Sequence, residues 1–91
     1  MGTKPRQRPQ RLGEKLLTIR NALGLSQSEM VKRLNVEGIV ASQISEFETG
    51  KREPSLLVVL QYARLANVCV DVLIDDKLDL PAKIPAKKKH S

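Results

Sequence analysis

An all-α fold is predicted for this chain by three observations. Apolar residues recur at three- and four-residue steps from residue 12 to about residue 75, no segment alternates apolar and polar positions as a strand would, and Phe47 and Tyr62 are the only aromatics. The core must therefore be built from Leu, Ile, Val and Ala, a composition that suits packed helices better than sheets. Ninety-one residues allow one small domain with a modest stability margin.

Leu12, Leu16, Ile19 and Leu23 place the first helix, and Gly24 follows as a left-handed stop. Ser26 caps a second helix, with Glu29 three positions on reaching back to the free amides, and Met30, Val31 and Leu34 form its buried stripe. A short third helix is placed by Ile44 and Phe47, one turn apart. It begins at Ala41 or Ser42 and stops at Gly50. Pro54 and Ser55 punctuate the next start, after which Leu56, Val59, Leu60 and Ala63 mark one face of a fourth helix. Asn67, which tolerates the left-handed conformation, ends it. A fifth helix spans about residues 70–75 and buries Leu73. Pro81 and Pro85 then hold the chain extended, with Leu78, Leu80 and Ile84 as candidates to dock on the bundle.

The net charge of +6 suggests nucleic acid, but its distribution is uneven. Lys4, Arg6, Arg8 and Arg11 lie in residues 1–11, and Lys83, Lys87, Lys88 and Lys89 lie in residues 83–91. The body between holds the other eight basic groups against all ten acids, so it is slightly acidic. Attraction to phosphate must come from the tails or from local pairs such as Lys51-Arg52. Tails of this kind also serve as solvated, flexible solubility segments.

Enzyme chemistry is disfavoured. The single cysteine, Cys69, sits in an apolar run as a helix-boundary residue, and the single histidine, His90, stands beside three lysines with nothing to orient it as a base. No glycine-rich phosphate loop and no nucleophile with a histidine partner is present, and no cofactor or metal is implied. No apolar run approaches a membrane span and the basic N-terminus lacks an apolar signal core, so a cytoplasmic protein without a membrane partner is expected.

Three motifs occur in order: Leu25-Ser26-Gln27 with Glu29-Met30; Ile44-Ser45 and Phe47-Glu48 followed by Gly50-Lys51-Arg52-Glu53-Pro54-Ser55; and Tyr62-Ala63 with Ala66-Asn67-Val68. Over residues 12–75 this order resembles the Cro/C1-type (XRE, lambda-repressor-like) helix-turn-helix family. The resemblance implies a five-helix DNA-binding bundle over residues 12–76, and the charge and proline pattern leaves a flexible basic arm at 1–11 and an extended Pro/Lys-rich tail at 77–91. By the same resemblance Gln27 meets a phosphate, and Ala41, Ser42 and Glu46 face bases. Arg20 and Glu48 match a pair that joins the first helix to the end of the third.

The remaining outward side chains of the third helix are Gln43, Ser45 and Thr49, with Lys51 and Arg52 just beyond it. Chemically, alanine can meet a thymine methyl, serine can bond donors or acceptors, and a carboxylate can accept from cytosine N4, while Gln43 and Thr49 suit phosphate or adenine. The segment between Leu34 and Ile44 is three residues longer than the family's spacing, so the usual tight turn at Asn35 is not expected unchanged. Glu37 and Glu46 also bring negative charge towards a phosphate-lined groove, which opposes non-specific affinity. The expected function is a sequence-specific, DNA-binding bacterial transcriptional regulator, in the form of a repressor that binds duplex DNA as a homodimer. An antitoxin-like or adaptor protein that uses the same fold to bind a toxin or another regulator is the alternative.

Overall fold

The computed structural model describes residues 9–84, which form five helices with no strand among them. These are α1 (Leu12–Leu23), α2 (Gln27–Leu34), α3 (Ala41–Thr49), α4 (Leu56–Ala66) and α5 (Val70–Ile74). Local chemistry accounts for each boundary. Gly24, Asn35, Gly50 and Asn67 all take the left-handed conformation at helix C-termini. The Ser26 hydroxyl accepts from the Glu29 N–H at 3.1 Å while the Glu29 carboxylate accepts from the Ser26 N–H at 2.7 Å, the reciprocal cap expected for α2. Those bonds hold the Glu29 carboxyl below its ordinary range.

The helices enclose one core of Leu12, Leu16, Ile19, Leu23, Met30, Leu34, Ile44, Phe47, Val58, Val59, Tyr62, Ala63, Ala66 and Leu73. Helix α1 packs on α3, α4 and α5, and α2 packs on α3 and α4. Two expected faces are corrected. In α4, Val59 and Ala63 are buried as expected, together with Val58, Tyr62 and Ala66, but Leu56 is 83% exposed and Leu60 only half-buried. In α2, Val31 is only partly buried beside Met30 and Leu34. The Tyr62 hydroxyl is buried without a hydrogen-bond partner among the described residues, and burial raises its pKa far above the ordinary tyrosine value.

Gly13 sets how closely α1 approaches α3. A Cβ there would lie 2.8 Å from the carbonyl oxygens of both Phe47 and Glu48, so only a residue without one fits.

Polar contacts tie the C-terminal segment to α1. The Asp76 carboxylate accepts from the backbone N–H groups of Gln10 and Arg11 at 2.8 and 2.9 Å, satisfying donors at the start of α1 from far along the sequence. These bonds hold the Asp76 carboxyl below its ordinary range. Arg11, counted above with the basic arm, donates to the Asp76 carbonyl at 2.8 Å and pairs with Asp79 at 2.7 Å. Leu80 and Ile84 pack against the core, whereas Leu78 is 40% exposed. The expected arm residues 1–8 and tail residues 85–91, with Lys87, Lys88, Lys89 and His90, lie outside the described residues.

Lys15 is the one buried charged residue among the described residues. Its ammonium donates to the carbonyls of Val72, Asp75 and Leu78 at 2.8, 3.1 and 2.7 Å, so its three N–H groups meet three acceptors around the end of α5. Lys15→Met preserves most of the volume but leaves these carbonyls without their donor. It is expected to cost about 2 kcal/mol or more. Urea unfolding checks the magnitude, and faster amide exchange confined to residues 72–78 checks the cause.

Candidate nucleic-acid interface

Helices α2 and α3 form a helix-turn-helix unit whose outer face is defined by what α3 buries. Ile44 is fully buried and Phe47 nearly so, which turns Ser42, Ser45, Glu46 and Thr49 to the opposite side as a stripe one to two turns long. Ser42 and Thr49 are exposed, while Ala41, Gln43, Ser45 and Glu46 are half-buried. Thr49 donates its hydroxyl back to the Ser45 carbonyl at 3.1 Å, so its oxygen faces outward as an acceptor.

The tilt of α3 is fixed by a nearly buried ion pair. Arg20 Nε and Nη2 donate to the two Glu48 oxygens at 2.6 and 3.0 Å, and Arg20 Nη1 donates to the Leu25 carbonyl at 2.9 Å. The Arg20 and Glu48 side chains are only 14% and 5% exposed. The hydrogen bond to Glu48 holds the guanidinium pKa above its ordinary value. Gln27 joins this network by donating Nε2 to Glu48 Oε1 at 3.3 Å, a contact with no sequence signal. Its amide keeps a second N–H, and it stands at the first position of α2, inside the turn whose Ser26 and Glu29 N–H groups are already met by the reciprocal cap.

The charge expected to oppose DNA is locally compensated. Glu46 Oε1 accepts from Arg52 Nε at 2.7 Å, and both side chains are substantially exposed. The backbone N–H groups of Lys51 and Arg52 also donate to the Glu46 carbonyl, fastening this basic turn against the end of α3. Lys51 has no ion-pair partner among the described residues, so Arg52 is engaged and Lys51 is not. Uncompensated negative charge is therefore corrected at Glu46.

The lengthened connection, residues 35–40, is accommodated by two left-handed residues, Asn35 at φ 53° and Gly38 at φ 86°. Asn35 thus supplies the C-terminal cap of α2, and the extra residues loop out before α3. Val40, extended at φ −127° and ψ 166°, precedes α3 and is 55% exposed. Its N–H donates to Gln43 Oε1 at 2.9 Å. A glutamine three residues after a helix entry is the signal that could have revealed this cap, though Val40 offers no side-chain acceptor in return. Among the described residues no group of acidic, histidine or cysteine side chains could hold a metal ion, and no helix is long and apolar enough to cross a membrane.

A family model described as helix-turn-helix matches residues 16–73. Comparison with curated protein sequences finds no match. Among solved structures, the P22 c2 repressor bound to a synthetic operator in the presence of Tl+ is similar at 23% identity and a TM-score of 0.62, over 71% of this chain and 94% of that one. The SinR/SinI complex is similar at 25% identity and a TM-score of 0.62, over 72% of this chain and 62% of the matched one. The restriction-modification controller protein C.AhdI from Aeromonas hydrophila is similar at 28% identity and a TM-score of 0.59, over 70% of this chain and 92% of that one.

Proposed function

Because the chain belongs to the Cro/C1-type helix-turn-helix family of DNA-binding transcriptional regulators, we propose that it is a sequence-specific, non-enzymatic bacterial repressor that binds duplex DNA as a homodimer, with α3 in the major groove. The observation that carries this reading is the outward stripe of α3, held at a fixed tilt by Arg20 and Glu48 and bordered by Lys51 and Arg52. Ala41, Ser42 and Glu46 face bases, with Gln43, Ser45 and Thr49 beside them. Gln27, Lys51 and Arg52 meet phosphates and set the register. The paired half-sites of a dimer multiply the modest specificity of one short helix. In this reading residues 12–76 are the DNA-binding domain, 1–11 an arm, 77–91 a tail, and the protein is cytoplasmic. Resemblance to the controller protein C.AhdI supports a regulatory role.

One observation favours a protein partner as well. Leu56 and Leu57, 83% and 51% exposed, are neighbours on the first turn of α4. The likeness to SinR, structurally known in complex with SinI, supports an antitoxin-like or adaptor role through such a surface.

Site selection from a random duplex pool tests the reading. Wild-type protein is expected to enrich one site, with affinity that falls as salt rises. Gln27→Ala should weaken all sequences about equally, whereas Glu46→Gln should change the preferred base at one position, because an amide replaces a cytosine-accepting carboxylate. It should also raise non-specific affinity by releasing Arg52 from its partner. Failure of the wild type to enrich any site, or binding indifferent to salt, would hand the case to the protein-binding role.

A further inference from the structure

The leading end of α3 carries two side chains whose chemistry is complementary to a single base. Val40 presents an apolar surface, 55% exposed, one residue before the helix. Gln43, one turn on, has its amide pinned, since the Val40 N–H can be met only by an acceptor and the atom meeting it at 2.9 Å is Oε1. Nε2 is thereby turned away from the backbone. A free glutamine can grip adenine by donating and accepting at once. A glutamine whose oxygen is held back against the Val40 N–H cannot turn that oxygen to a base without breaking the cap, so the atom it has to offer outward is the donor Nε2.

Only one base edge in the major groove offers an acceptor beside a methyl group, namely thymine with O4 and its C5-methyl. We propose that Val40 and Gln43 together read a thymine, Val40 packing on the methyl and Gln43 Nε2 donating to O4. The proposal rests on the reading of α3 as the groove-inserted helix and deepens it by naming the base at its leading end. It also gives the long connection a purpose: the left-handed Gly38 and the extended Val40 carry an apolar residue to the position directly ahead of α3. The outward stripe of residues 42–49 has no other large apolar side chain to offer a methyl.

The test uses the full chain and its selected site, resynthesised with deoxyuridine in place of each thymine in turn, which deletes the methyl and nothing else. In anisotropy titrations at fixed salt, one thymine per half-site is expected at which this deletion weakens wild-type binding about fourfold and leaves Val40→Ala unaffected. Val40→Thr, which keeps the branched shape but exchanges one methyl for a hydroxyl, should show the same blunted response if alanine disturbs the loop. Gln43→Glu retains the oxygen that caps the Val40 N–H while removing the donors, so selection at that position should move from thymine to cytosine, whose N4 amino group donates. Thermal melting by circular dichroism confirms that each variant is folded. The proposal is overturned if the wild type selects a site but no thymine shows a methyl effect that Val40→Ala removes, or if Gln43→Glu still selects thymine. A wild type that selects no site would overturn the DNA-binding reading and the thymine assignment with it.

Discussion

Arg20→Ala is expected to lower the free energy of unfolding by about 3–5 kcal/mol, because it strands a carboxylate that the fold has taken out of water. Glu48 is only 5% exposed and receives two hydrogen bonds from Arg20; Gln27 at 3.3 Å is a weak substitute. The same truncation leaves the Leu25 carbonyl without the Arg20 donor just past the end of α1. Lys32→Ala on the exposed face of α2 is expected to change stability by less than about 0.5 kcal/mol. The double variant Arg20→Ala/Glu48→Ala should recover part of the loss, since no charge then remains unpaired. Urea titration of the four proteins decides it. Equal, small effects for Arg20→Ala and Lys32→Ala would show that the pair does not hold α3 in place.

Gly13→Ala is expected to destabilise the domain by about 1–3 kcal/mol, although the same change in an open helix would stabilise it by roughly 1 kcal/mol. The sign reverses because the new methyl would sit 2.8 Å from two backbone carbonyl oxygens, and backbone cannot swing aside as a side chain can. Helix α1 must back away from α3, which also strains the Arg20–Glu48 pair between the same two helices. Asn21→Ala, exposed on α1, is the control. It is expected to be neutral or stabilising by a few tenths of a kcal/mol. Stability equal to or above wild type for Gly13→Ala would mean that the two helices are not held at this distance.

What could be read in advance follows a physical division. Caps and stops are local, so Ser26 with Glu29, and the left-handed Gly24, Gly50 and Asn67, were legible from residue type and spacing. The face of α4 is only partly legible, at Val59 and Ala63 but not at Leu56, because Leu56, Leu57, Val58, Val59 and Leu60 are apolar in succession, and periodicity cannot choose a face when every face is greasy. Only the neighbours α1, α2 and α5 make that choice, leaving Leu56 outside. Lys15 resembles any helical lysine until residues 57 to 63 positions later bring three carbonyls to it. At the candidate site, Ile44 and Phe47 fixed the outward set of α3. The pinned oxygen of Gln43, the bond from Gln27 to Glu48 and the pairing of Glu46 with Arg52 depend on which end of each polar group meets which neighbour, and spacing does not specify that.

The Asp76 cap also has a kinetic consequence. By joining positions 10 and 11 to position 76 it turns the intervening chain into a closed ring, and closing a flexible ring of that length from the unfolded state carries an entropic cost that grows with the logarithm of its length. Contacts between α1 and α3 shorten the effective ring, so the cost of closing the cap is smaller once those two helices are packed. To open this junction the protein must give up the Asp76 cap, the Arg11 contacts and the Lys15 bonds to Val72, Asp75 and Leu78, so the first turn of α1 and the segment after α5 are coupled and part as one unit.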